Sequence, residues 1–313
     1  MALTKVVSGR IIKPMRVLVY GLEGVGKSTF AASAPSPIFL GAEDGTSELD
    51  VQRFPQPTCW SDVMEAVHEL ITTPHEYQTL VLDTLDWMEP LCWHQTCVAM
   101  AKPGKPPLRS IEEPGYGKGY VEAGGYWRQL AAALDRLRGA RKMDVVLLAH
   151  SWIKTFKNPA GEDFDRYEMK VHKGAAGMWR EWCDAVLFAT HDVTTYEDDR
   201  KRVKGIGTGA RVLLTQHNAA YDAKNRYDLP PAIALDWEQF AEAAAAHRPD
   251  DPERIRARIE QLLTHVAQDA DLSERVRNAL DNAGDNAGEL ARIENKLAAR
   301  ISTTPTDDEE APQ

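Results

Sequence analysis

Gly21-Leu22-Glu23-Gly24-Val25-Gly26-Lys27-Ser28 fits the pattern G-x-x-x-x-G-K-[ST], and its neighbours supply the context that pattern requires. The apolar run 15–20 (MRVLVY) precedes it as a strand, and a stretch of helical character follows. Glycines let successive backbone N–H groups wrap a phosphate, and the N-terminus of the following helix adds its positive end. Lys27 then reaches the β and γ oxygens, and Ser28 ligates Mg²⁺. The cofactor-binding set is therefore Gly21, Gly24, Val25, Gly26, Lys27, Ser28 and Thr29, with ATP and Mg²⁺ as the expected ligands. A chance glycine loop would not carry both flanks.

Outward from this loop, short apolar runs alternate with helical stretches, the rhythm of a mainly parallel sheet covered by helices. Strands are expected at 15–20, 37–40, 79–82, 144–149, 185–189 and 211–215, and helices at 61–71 and 126–138. The fold class is α/β. Thr79-Leu80-Val81-Leu82-Asp83 is an apolar strand ending in a carboxylate, which puts Asp83 in the Mg²⁺ shell beside Ser28; Asp86 is the weaker substitute. Glu43, directly after the strand at 37–42, is the candidate for orienting or deprotonating water, the alternative being plain exposure beside Asp44. His150 closes its strand and is read either as a polar sensor of the γ-phosphate or as a satisfied rim residue.

Two connections, 102–125 and 154–177, are too long and polar for simple turns; loops beyond about 12 to 15 residues in a compact domain are usually functional or disordered. Both follow core elements, so both are expected on one rim of the sheet. Beyond 236 the chain becomes Ala-rich and then helical. Asp251 and Pro252 start a helix as cap and first-turn residue, and three apolar stripes follow: Ile255 to Val266, Leu272 to Leu280, and Leu290 to Ile301. The expected organisation is an ATPase core over 1–248, a helical C-terminal appendage over 249–301, and an acidic disordered tail over 302–313.

The chain has 313 residues, 43% hydrophobic and 27% charged, which excludes chain-wide disorder and a collagen-like composition. No apolar run approaches the ~20 residues that cross a bilayer, and MALTKVVSGR lacks the apolar core of a secretory signal. Four cysteines without a CxxC pair fit a reducing compartment, so a cytoplasmic location and no membrane partner are expected. Cys92, His94 and Cys97 could hold a metal only with a second ligand pair, which the spacing does not offer. The net charge is −10 but unevenly placed: residues 102–173 carry 14 Lys and Arg against 9 Asp and Glu, whereas 249–313 carry 8 against 15. A basic middle in an acidic chain is either a nucleic-acid footprint or a solvated face.

The segments GLEGVGKST, FLGAEDGT, TLVLDTLD, GYGKGYVEAGGYWRQL, VVLLAHSWIKTF and AKNRYDLPP occur in an order that resembles the RecA-like recombinase core. More narrowly, the chain is similar to phage-encoded RecA/RadA-like P-loop ATPases of the Sak type, which are single-strand annealing and recombination proteins. The resemblance runs from residue 12 to about 241. It implies that Lys27 and Ser28 bind phosphates and Mg²⁺, that Asp83 supports the metal, that Glu43 activates water, and that His150 is the sensor. It further implies two DNA-binding loops, with Lys118, Lys154, Lys157, Lys170 and Lys173 as phosphate contacts. Tyr116, Tyr120 and Phe156 would be base-stacking groups. Lys224-Asn225-Arg226 resembles the Lys-Asn-Arg motif of the RadA-like branch, so Lys224 and Arg226 are expected to reach a neighbouring subunit's nucleotide. Tyr227-Asp228 stands where Phe-Gly commonly follows. The first strand begins close to the N-terminus, which leaves little room for an N-terminal polymerisation element, so a ring or short filament is at least as plausible as a long one.

The function that follows is an ATP-dependent single-stranded-DNA-binding recombinase or annealing protein. It would hydrolyse ATP at a subunit interface under DNA stimulation, with itself, single-stranded DNA and a single-strand-binding protein as partners. The location would be the bacterial host cytoplasm if the chain is phage-encoded. The alternative is a P-loop assembly or switch ATPase acting on a protein partner, which the acidic balance favours. A small-molecule kinase ranks third, because no lid arginines or acceptor pocket can be read.

Overall fold

The computed structural model describes residues 13–302 except 44, 160, 198–202, 248–251 and 267. The expected cap at Asp251 and the acidic stretch 303–313 lie outside the described residues. In chain order the elements are β1 (Arg16–Gly21), α1 (Lys27–Ala32), β2 (Pro37–Gly41), β3 (Gln52–Arg53), α2 (Trp60–Thr72), β4 (Thr79–Asp83), α3 (Leu85–Ala99) and α4 (Lys118–Arg141). There follow β5 (Asp144–Phe156), β6 (Phe164–Met169), α5 (Lys173–Trp182), β7 (Ala185–Glu197), β8 (Val203–Leu214), β9 (Lys224–Asn225), β10 (Ala232–Ala234) and α6 (Trp237–His247). The C-terminal helices are α7 (Pro252–His265), α8 (Ala270–Ala283) and α9 (Ala287–Ser302).

The sheet order is β10-β8-β7-β1-β5-β4-β2-β3, with β6 paired to β5 and β9 to β7. Strands β7, β1, β5, β4 and β2 are mutually parallel; at one end β8 runs antiparallel to β7, and β10 antiparallel to β8. This is the expected α/β arrangement with a mostly parallel central sheet, in which β5 separates the phosphate-loop strand β1 from the Asp83 strand β4. Strands buried on both faces read as continuous apolar runs, and β1 is one: Val17 and Val19 enter one core, Leu18 and Tyr20 the other. Helices α2 to α5 cover the second face, through residues such as Trp60, Leu70, Met88, Trp127 and Trp179. On the first face lie α1 and α6, where Phe30 packs on Trp237 and Phe240 at ring separations of 5.2 and 5.8 Å.

Three sequence expectations change. The last third of the connection 102–125 is helix: α4 begins at Lys118, not near 126, despite Gly124 and Gly125. Packing overrides their poor propensity, since Ala123 and Trp127 are buried against the sheet and Gly119 fits where a Cβ would stand 2.0 Å from the Ile111 carbonyl oxygen. The segment 154–177 is no open loop: Ser151–Phe156 of β5 pairs antiparallel with β6, and α5 begins at Lys173. A further helix, α3, occupies 85–99 around Pro90.

The chain divides into two compact units, Lys13–Ala244 and a second that contains the helices from α7 onward. In the second, Ile255, Ile259, Leu263, Leu272, Val276, Leu280, Leu290 and Leu297 form a separate core from the three predicted stripes. Arg258 binds Glu294 through two hydrogen bonds of 2.6 and 2.9 Å, and Asp269 caps α8 by accepting from the Leu272 N–H.

Candidate nucleotide site and basic rim

Strand β1 delivers Gly21 to the end of the sheet between Ala189 of β7 and His150 of β5. Only glycine fits there, since a Cβ would stand 2.1 Å from the Ala189 carbonyl oxygen. The loop closes on Gly26, whose φ of 103° lies in the left-handed region, and α1 starts at Lys27. The Lys27 side chain is buried, and its Nζ donates to the carbonyls of Gly21 (3.1 Å) and Leu22 (2.8 Å). Burial pushes this ammonium below its ordinary range, opposed by the carboxylates of Asp83, Asp86, Glu43 and Glu23.

Ser28 Oγ donates to Asp83 Oδ2 at 2.7 Å. Asp83 is buried, which pushes its pKa up against the Ser28 hydrogen bond, with the Glu43 charge adding to the rise. A desolvated carboxylate whose nearest partner is a hydroxyl, beside a lysine, is a hard-oxygen pair that fits Mg²⁺ in its donor chemistry. Glu43 lies two residues past Gly41, which pairs with Asp83 across β2 and β4, and its charge acts on both Asp83 and Lys27. Sequence reasoning thus names residues that the fold brings together.

Asp86 has a different task from the metal role held open for it. Its Oδ1 accepts from the His150 backbone N–H and its Oδ2 meets His150 Nδ1, both at 2.9 Å. Burial alone would raise Asp86, but the His150 bonds more than offset it and the carboxyl sits below its ordinary range. One turn on, Glu89 accepts from the His172 backbone N–H with both oxygens (2.9 and 3.0 Å), and His172 is the N-cap of α5. Helix α3, which starts two residues after Asp83, therefore holds the end of core strand β5 with Asp86 and the start of α5 with Glu89. Burial, with help from Asp86 and against the His172 bond, raises the Glu89 pKa from 4.5 to about 7. A raised carboxyl favours the folded state while protonated, so this contribution is present below pH 4.5 and is lost as pH rises to about 7. Glu89→Gln is expected to gain up to about 3 kcal/mol over the wild type at pH 8 and little at pH 4.5. Chemical denaturation at the two pH values measures the difference.

The lysines proposed from the sequence separate into groups. Lys154 and Lys173 line one small cleft of about 110 Å³, together with Arg180 and Glu168. Lys170 lies beside the phosphate loop, 3.6 Å from Glu23, and its backbone N–H donates to the His150 carbonyl at 2.8 Å. Lys157 pairs with Asp163 across the hairpin, and Lys118 is exposed in the first turn of α4. Tyr116 is fully exposed, but two other aromatics are engaged. Tyr120 stacks on His172 at 4.0 Å and donates to Glu112, while Phe156 packs on Phe164 at 5.2 Å under the Arg166 guanidinium.

Trp152, which sequence reasoning passed over, is 38% exposed and carries the Lys154 ammonium 3.9 Å from its ring centre. Its signal was parity: 152, 154 and 156 fall on one face of the hairpin strand. Trp87, at the start of α3, is 53% exposed. Lys224 is held within its own chain. Its ammonium donates to the carbonyls of Arg180 (3.0 Å), Glu181 (2.9 Å) and Cys183 (2.7 Å), all three donors thereby closing the end of α5 in its own chain. Arg226 pairs with Asp184 at 3.2 Å and stays more than half exposed; both residues lie at the edge of the sheet opposite the phosphate loop.

Fold and loop together define a P-loop nucleotide-binding domain. A family model described as an AAA domain matches residues 13–227, and the chain belongs to that family. No curated protein matches the chain. Among solved structures, "Crystal structure of the RadB recombinase" is similar at 12% identity, covering 68% of this chain and 91% of that one with a TM-score of 0.35. Among the described residues, no helix is long and apolar enough to cross a membrane.

Proposed function

We propose that the protein is an ATP-dependent single-stranded-DNA-binding ATPase of homologous recombination or strand annealing, acting as a ring or short filament. The observation that carries this reading is the run of contacts from the nucleotide site to the basic rim: Ser28 to Asp83, then α3 through Asp86 to His150 and through Glu89 to the start of α5. Lys154 lies four residues beyond His150, and Lys173 is next to His172. A change at Asp83 thereby has a rigid route to the DNA-facing lysines.

Bound Mg²⁺ would neutralise charge on the phosphates. Ser28 and Asp83 would hold it, and Lys27 would exchange the carbonyls of its own loop for the β and γ oxygens. Glu43 orients the attacking water and takes its proton. Asp86 fixes the position of the His150 ring. Lys224 and the more exposed Arg226 would act on a neighbouring copy's nucleotide, where a cation opposes charge developing on the γ-phosphate. Lys118, Lys154, Lys170 and Lys173 contact the strand's phosphates, and Trp152 stacks on a base.

The competing reading, a switch ATPase gripping a protein, draws on the exposed Trp87 and Ile153. Salt separates the two. With Z phosphate contacts, affinity for single strands falls with a log–log slope of about −0.7Z, so four lysines predict a slope near −3. Binding of a fluorescent oligothymidylate between 50 and 200 mM salt is expected to weaken by roughly 50-fold or more. No binding at low salt would remove DNA from the account.

A further inference from the structure

Arg211 stands where the phosphate loop lacks a side chain. On β8 it pairs with His191 of β7, two residues past the Ala189 that flanks Gly21, and its carbonyl accepts from the Leu235 N–H at 2.9 Å. Its guanidinium fills the space over Gly26, with Nη1 2.6 Å from where a Cβ on Gly26 would stand; Leu235 Cδ2 borders the same space at 3.5 Å. Among the described residues this guanidinium has no carboxylate and no carbonyl as partner. Arg211 is itself exposed, whereas the more buried Arg16, Arg138 and Arg166 are paired with aspartates. An unpaired cation with five donors, set against a loop shaped for phosphate, has the chemistry of an anion clamp.

Its side of the loop limits which phosphates it can take. Asp83 and Glu43 approach from the β4 and β2 flank of β1, whereas Arg211 comes from the β7 and β8 flank. We propose that Arg211 is a nucleotide-binding residue supplied in cis, which grips the α- and β-phosphates and so holds ADP as well as ATP. This rests on the reading of the loop as an ATP site, and adds to it a contact that outlasts hydrolysis. A γ-phosphate sensor would act differently, discriminating ATP from ADP.

Titration calorimetry of the full chain with Mg·ATP and with Mg·ADP tests the assignment, using wild type, Arg211→Ala and Arg211→Lys. Arg211→Ala is expected to weaken both nucleotides by about tenfold or more and by similar factors, as loss of a charge-assisted hydrogen bond does. Arg211→Lys should recover part of the loss, because a point charge replaces a forked donor. Steady-state turnover should show KM rising more than kcat falls. Unchanged ADP affinity in Arg211→Ala overturns the proposal while leaving the ATP site standing, as does a loss confined to ATP. Failure of the wild type to bind either nucleotide overturns the ATP site itself, and the proposal with it.

Discussion

Lys27→Ala is expected to lower ATP turnover by at least about 100-fold, the scale on which loss of one preorganised charge at a developing anion is felt. The ammonium is already buried at the loop, held by the Gly21 and Leu22 carbonyls, so it stands in place to exchange them for phosphate oxygens when nucleotide arrives. Burial lowers its pKa but leaves the direction of the interaction unchanged, because four carboxylates favour the charged form. The substitution leaves two loop carbonyls without their donor and buries no new charge, so the sheet and its two cores should persist. Single-turnover hydrolysis, with circular dichroism as the folding control, checks this. Turnover within threefold of wild type would contradict the assigned role of Lys27.

The second large effect concerns the hairpin. A variant carrying Trp152→Ala and Lys154→Ala is expected to bind single-stranded oligonucleotides about 10- to 100-fold more weakly, since stacking alone contributes about 1–3 kcal/mol per base. The single variants separate the two contributions. Trp152→Ala should lower affinity at every salt concentration without changing the slope, whereas Lys154→Ala should make the slope shallower by about 0.7. The two side chains already touch, with the ammonium 3.9 Å from the indole centre, so their effects should not add. Equal affinity in the double variant would remove the hairpin from the DNA surface.

Much of the architecture is legible from local pattern. Residues 15–28 specify a strand, a turn and a helix start through apolar continuity, glycine placement and the Lys-Ser pair; Asp83 is found because it ends the next comparable apolar run. The three stripes after 252 name the helical core residue by residue. What local pattern conceals is tertiary. Gly124 and Gly125 look like a loop because their propensity is poor, yet Ala123 and Trp127 pull them into α4. The antiparallel return of β6 on β5 is masked by the Gly, Pro and Asp residues of its turn. Lys224 carries a motif-like surrounding that speaks for a role in trans, and only the fold brings three carbonyls to its ammonium. Arg211 has no motif at all, and its position over Gly26 depends on β8 lying beyond β7 in the sheet.

The link between the two ends of α3 is the central claim, and ATP turnover measured on the full chain with and without a single-stranded oligonucleotide tests it most directly. The account predicts that DNA raises the rate severalfold in the wild type, and that Asp86→Asn, which weakens the hold on His150, loses most of that increase while still binding DNA. A wild-type rate that stays the same across saturating DNA, on a protein that demonstrably binds it, would contradict the coupling.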